Sequence, residues 1–168
     1  MGCDIHGNIE IRPYDWDENE WYCVADISFI IERNYDLFSV LAGVRQFVDI
    51  KPITKCKGIP KNASLKTLEH YEYWAGDGHS ATFMTLKDIK EYDYNSGGLD
   101  EREIIMDSDE FSMKSKPHEP LPDEKKRFVT AKEIFDNSAN FQTLFKIMDA
   151  LALLYGDEWV RLVIWFDN

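Results

Sequence analysis

The sequence lacks any run of about 18 apolar residues, so no transmembrane helix is expected. It lacks a basic stretch followed by an apolar run near Met1, so no secretory signal is expected either. Met1-Gly2-Cys3 opens like a lipidation signal, but position 6 is His rather than Ser or Thr, which argues against myristoylation. Cysteine is scarce and odd in number: Cys3, Cys23 and Cys56, with no C-x-x-C spacing. That excludes a disulfide framework and a zinc ribbon, and suits small buried thiols in a reducing cytoplasm. A glycine-rich phosphate loop and a dinucleotide fingerprint are both missing. Positive charge is short: 19 Lys and Arg against 31 Asp and Glu give a formal net charge of -12. A general nucleic-acid binder needs a basic surface to displace counterions, so nucleic acid is an unlikely partner. The lysines are interspersed among the acids, which fits a solvated surface better than mimicry of DNA phosphates.

What is present is a domain-sized chain of 168 residues, 44% hydrophobic and 14% aromatic. One domain over 1–168 is expected. Residues 3–12 alternate with period two: Cys3, Ile5, Ile9 and Ile11 on one face, Asp4, His6, Asn8, Glu10 and Arg12 on the other. A turn over 13–19 and a second strand from Trp21 to Ile27 complete an N-terminal hairpin. Asn34 reads as the N-cap of a helix to about Arg45. Residues 48–63 read as an ordered loop. A short helix over Ser64–Trp74 carries Leu65, Leu68 and Tyr71 on one side. Thr85-Leu-Lys-Asp88 and Thr130-Ala-Lys-Glu133 are capping boxes. Residues 95–128 have the weakest pattern and read as a variable surface insertion with a short hairpin near Ile104–Met106. The main helix is expected over 139–155, stopped by Gly156. Val160–Phe166 is apolar on both faces, as a central strand is. The fold class is therefore α+β: a small, mainly antiparallel sheet pairing the N- and C-terminal strands, packed by three to four helices.

Chemistry-bearing residues form three groups. Asp4 and His6, two apart on a strand, point the same way and could supply two ligands to one metal. Asp77 and His79 repeat the D-x-H spacing on a glycine-flanked turn. Asp4, His6, Asp77 and His79 together would suit Mn²⁺, Zn²⁺ or Fe²⁺. The bland alternative is a hydrogen-bonded surface His6 and a turn-closing Asp77. His6, His79 and Ser80 are the acid–base and nucleophile candidates. Arg33, Asn34, Arg45 and Arg161 are candidates for holding a phosphorylated ligand, Arg33 because it precedes a helix N-terminus. Trp74, Phe83, Trp159 and Trp165 offer stacking surfaces, although core packing is their commoner use.

Asp4-Ile-His6-Gly-Asn8 looks like the first motif of the calcineurin-like metallophosphoesterases. The chain lacks that family's later Gly-Asn-His and Gly-His-x-His segments, and the strand runs on where the family turns into a helix, so membership is rejected. Four segments taken in order resemble a family of small, mostly uncharacterised proteins of tailed phages and prophages. They are Met1-Gly-Cys-Asp-Ile-His6; Arg33-Asn-Tyr-Asp-Leu-Phe38 with Leu41-Ala-Gly-Val-Arg45; Gly58-Ile-Pro60 with His79-Ser80 and Thr85-Leu86; and Val160-Arg-Leu-Val-Ile-Trp-Phe-Asp-Asn168. The resemblance implies a phage accessory protein in the host cytoplasm. The expected function is binding, with metal-assisted hydrolysis as its extension, of a nucleotide or other phosphorylated small molecule, a host immune signal among them. Two alternatives stand beside it: a non-catalytic binder that sequesters such a ligand, and an acidic inhibitor of a host protein.

Overall fold

The computed structural model describes residues 2–14, 20–74, 76–106, 112–115, 122 and 126–168. Most of the turn expected over 13–19 lies outside these residues, as do Met1, Pro117 and Pro120. The architecture is α+β. A four-stranded antiparallel sheet has the order β2-β1-β8-β3, from Tyr22–Asp26 (β2), Ile5–Ile11 (β1), Val160–Phe166 (β8) and His79–Thr85 (β3). The terminal strands pair along their full length, from Ile5 opposite Phe166 to Ile11 opposite Val160.

The sheet has two different faces because period two sorts its side chains. On one face Ile5, Ile9, Ile11, Leu162, Ile164 and Phe166 join Leu37, Phe38 and Leu41 of α1 (Tyr35–Ala42) and Leu144 and Met148 of α5 (Ala139–Tyr155) in one apolar core. The other face carries His6, Asn8, Glu10, Arg161, Val163 and Trp165, and it too is buried. Its cover is α2 (Leu65–Tyr73). Here the structure corrects part of the expected helix face: Tyr71 packs against Trp165, at 5.3 Å between ring centroids, while Leu65 and Leu68 are exposed. Leu65 is 71% exposed, and the fully buried residue of α2 is Thr67. A polar strand face needs polar partners, since a buried donor or acceptor without one costs about 1–3 kcal/mol. Asn8 Nδ2 accordingly donates to Thr67 Oγ1 at 3.2 Å, and Asn8 Oδ1 meets His70 Nδ1 at 3.3 Å.

Close approach of backbones fixes Gly7. A Cβ there would lie 2.1 Å from the Val163 carbonyl oxygen of β8. The first helix ends earlier than expected. Gly43 takes the left-handed conformation, and its N–H and that of Val44 close on Ser39 O and Phe38 O, which stops the helix at Ala42. Thr85 and Asp88 form the expected capping box at the start of α3 (Leu86–Glu91). At α4 (Ala131–Asp136) only half of the second box forms. Thr130 accepts from Glu133 N–H, while the Glu133 carboxylate pairs with Arg127 instead of reaching back.

The region over 95–128 has an ordered base. β4 (Gly97–Asp100) pairs with β7 (Arg127–Thr130), and β5 (Glu103–Met106) pairs with β6 (Ser112–Ser115), where the short hairpin was expected. Asp100 and Arg102 are buried together, and Arg102 also reaches Asp36 of α1. That ion cluster ties the base of the insertion to the body.

His70 gives a pH prediction. Burial lowers its pKa below the ordinary 6.5, against the opposing pull of Asp26. A depressed imidazole pKa favours folding while the ring is neutral. Stability is then lost as pH falls from 6.5 through the folded value. In urea titrations the wild type should lose stability relative to His70→Gln over that window, with no difference between their pH slopes above it.

Candidate functional site

Residues chosen from the sequence meet where β1 begins and β8 ends. Asp4 accepts a bidentate pair from Arg33, at 2.8 Å from Nε and 2.7 Å from Nη2. This guanidinium holds the Asp4 carboxyl below its usual range. Both side chains are about half exposed, so the pair adds little to stability. Asp4 N–H donates to Asp167 Oδ1 at 2.8 Å, and Asp167 Oδ2 takes His6 Nε2 at 3.1 Å. Trp74, just past α2, stacks on the His6 ring at 3.9 Å between centroids. An ionised Asp167 places the ring proton on Nε2 and leaves the Nδ1 lone pair as the basic atom. This is a His–carboxylate dyad with its imidazole held in place.

Around the same strand end, Arg45 Nη2 donates to Asn168 Oδ1 at 3.2 Å, and its guanidinium lies 6.0 Å from the Tyr35 ring centroid. The Tyr35 hydroxyl accepts Cys3 N–H at 3.2 Å. Burial raises the Cys3 thiol pKa, with Arg45 opposing. His79 pairs with Phe166 across β3–β8, and its Nδ1 meets Ser80 Oγ at 2.9 Å. The buried His79 Nε2 atom has no hydrogen-bond partner among the described residues. Among the described residues, the non-glycine positions with positive φ are Arg45 and Ser80, both at 52°. Strained backbone of this kind persists where the surroundings enforce it, and clusters at functional sites. Both residues flank Phe166–Asn168, Arg45 through Asn168 and Ser80 through the β3–β8 pairing beside Phe166.

Asp4, His6, Arg33, Arg45, His79 and Ser80 are thus linked through one end of β8. The remaining expected residues are placed elsewhere or otherwise used. Asp77 is exposed on the turn after α2. Among the described residues, no group of three His, Cys, Asp or Glu side chains is arranged to hold a metal ion, so the four-ligand set of Asp4, His6, Asp77 and His79 is not assembled. The reason lies in the sheet: His6 faces Trp165 and Trp74, whereas His79 stands against Phe166 on the core side. The same division separates His6 from His79 as catalytic partners. Asn34 is spent as the N-cap of α1, accepting Leu37 N–H at 3.1 Å. Asp36 and its Arg102 partner occupy that helix's first turn. Arg161 is a structural cation instead of a ligand-binding one. It is 4% exposed, donates to Glu10 Oε2, Asn62 Oδ1 and Asn62 O, and lies 3.8 Å from the Trp21 ring centroid.

Asp167 is one of the polar residues of the C-terminal segment that carries the resemblance, but no spacing pairs it with His6, or Asn168 with Arg45. Neither forms a motif with His6 or Arg45 until the terminal strands pair. Comparisons with protein-family models, with curated proteins and with solved structures return no match. No helix among the described residues is long and apolar enough to cross a membrane.

Proposed function

We propose that this chain binds a phosphorylated small molecule of nucleotide size at the strand end framed by Asp4–His6 and Phe166–Asn168. One observation supports this reading above the rest: two guanidiniums, Arg33 and Arg45, and the His6–Asp167 dyad are anchored to the same few residues. Arg33 spends Nε and Nη2 on Asp4 and keeps Nη1 for a phosphate oxygen. The Trp74 indole over His6 gives a flat surface for a base. His6 Nδ1 is the group that would exchange a proton with the bound phosphate. A net charge of -12 repels long polyanions, which favours a small ligand over nucleic acid. The resemblance to small phage proteins supports reading this binding as an event in an infected bacterial cell.

Calorimetric titration with AMP and with adenosine tests the reading. AMP should bind more tightly than adenosine, and the Arg33→Ala, Arg45→Ala double variant should weaken AMP at least about tenfold, as loss of charge-assisted hydrogen bonds does. Adenosine should be unaffected by the substitutions. Equal binding of AMP and adenosine, or an unchanged double variant, sinks the proposal. Intact AMP recovered after denaturing the complex would mark sequestration, and phosphate with adenosine would mark hydrolysis.

A further inference from the structure

The rest of the molecule holds a second concavity that shares no residue with the strand end. It has a volume of about 330 Å³ and lies between α3, the turn after it, α4 and α5. Its walls are rings: Tyr94, Phe135, Phe141 and Phe145. Phe135 sits 4.3 Å from Phe141 and 5.0 Å from Tyr94, centroid to centroid. A cavity of this size suits a ligand of one or two rings.

The polar groups at its rim are mostly committed. The Tyr94 hydroxyl donates to Ile89 O at 2.8 Å, and burial pushes its pKa up to about 12, so it stays neutral. Gln142 Nε2 donates to Phe135 O and Asp136 O. Lys90 is held between Asp149 and Asp157, and Asp136 pairs with Lys132. Lys146, the remaining charged group of the lining, has no acidic partner among the described residues. Lys146 is therefore the ammonium of the lining left without an ion-pair partner among the described residues, beside an aromatic interior.

We propose that this cavity binds a small aromatic carboxylic acid, its rings among Phe135, Phe141, Phe145 and Tyr94 and its carboxylate against Lys146. The charge selects an acid over a neutral analogue, and the rings select an aromatic body over an aliphatic one.

The test uses the full chain with 2-naphthoate and its neutral counterpart 2-naphthylmethanol, followed by NMR. The acid should bind more tightly than the alcohol, with contacts to the Phe141 and Phe145 rings. Lys146→Gln should weaken the acid about two- to fivefold, the range for a solvent-exposed charge pair, and leave the alcohol unchanged. Lys146 is exposed, so this variant should fold like the parent. Absence of binding, equal affinity for acid and alcohol, an unaltered Lys146→Gln variant, or contacts to rings outside the cavity would each overturn the proposal.

Discussion

Replacing Glu10 with Ala should destabilise the fold by about 3–5 kcal/mol, read as a shift of the urea midpoint at unchanged slope. The Glu10 carboxylate is fully buried, and the side chains of both members of its pair with Arg161 are at most 4% exposed. Its Oε2 takes Arg161 Nε at 2.8 Å and its Oε1 takes Ser64 N–H at 2.8 Å. Removing it leaves a guanidinium in a dry layer between Trp21 and the sheet. Burial already pushes the Arg161 pKa down, and Glu10 is what opposes this. The α2 N-terminus would loosen as well, since Ser64 is its cap. The paired replacement Glu10→Leu with Arg161→Met should recover most of the loss, because apolar residues of similar volume commonly replace a buried pair without cost. A single variant that loses less than about 1 kcal/mol would show the pair to be solvated.

The second large effect is expected at Gly7. Gly7→Ala should cost at least about 3 kcal/mol, because the added methyl meets backbone and not a movable side chain. The clash is with Val163 O at 2.1 Å, and Ile164 Cα lies 3.0 Å away. Relief requires parting β1 from β8, the central pair of the sheet. Hydrogen exchange should show the Ile5–Ile9 amides opening first. A Gly7→Ala variant as stable as the parent would mean that the two strands are farther apart than described here.

The fold was legible where one rule acted alone. Alternation located β1, the doubly apolar run located β8, and the side-chain caps at Asn34, Thr85 and Thr130 open α1, α3 and α4. It was less legible where tertiary context overruled pattern. The apolar side of α2 points inward at Tyr71 but not at Leu65 or Leu68, because the polar requirements of Asn8 and Glu10 draw Thr67 and the Ser64 cap to the sheet. β3 carries no strict alternation, and the bulge between His79 and Thr82 breaks its register. It is held by β8 on one edge and by the 55–58 loop on the other, where Lys57 and Gly58 N–H groups donate to Ala81 O. β4 ends at Asp100 and β7 begins only at Arg127, and no local signal announces that the two pair.

The site followed the same division. Asp4 with His6, and Arg33 with Arg45, were visible as residue types at strand and helix ends. Their partners Asp167 and Asn168 lie 161 and 123 residues from His6 and Arg45, a distance that only the pairing of the terminal strands removes. Arg161 looked equally available in sequence, yet its strand position turns it toward Glu10. Neighbours on a regular strand point apart, yet the left-handed Ser80 brings its Oγ to His79 Nδ1, and a sheet stands between that ring and that of His6.

The most direct measurement is the ¹⁵N–¹H correlation spectrum of the histidine rings while AMP is added. The His6 ring should shift and saturate at one stoichiometric equivalent, while His70, on the inner side of α2, and His79, across the sheet, move less. A His6 ring signal that does not move, at AMP concentrations that saturate the calorimetric signal, would contradict binding at the strand end.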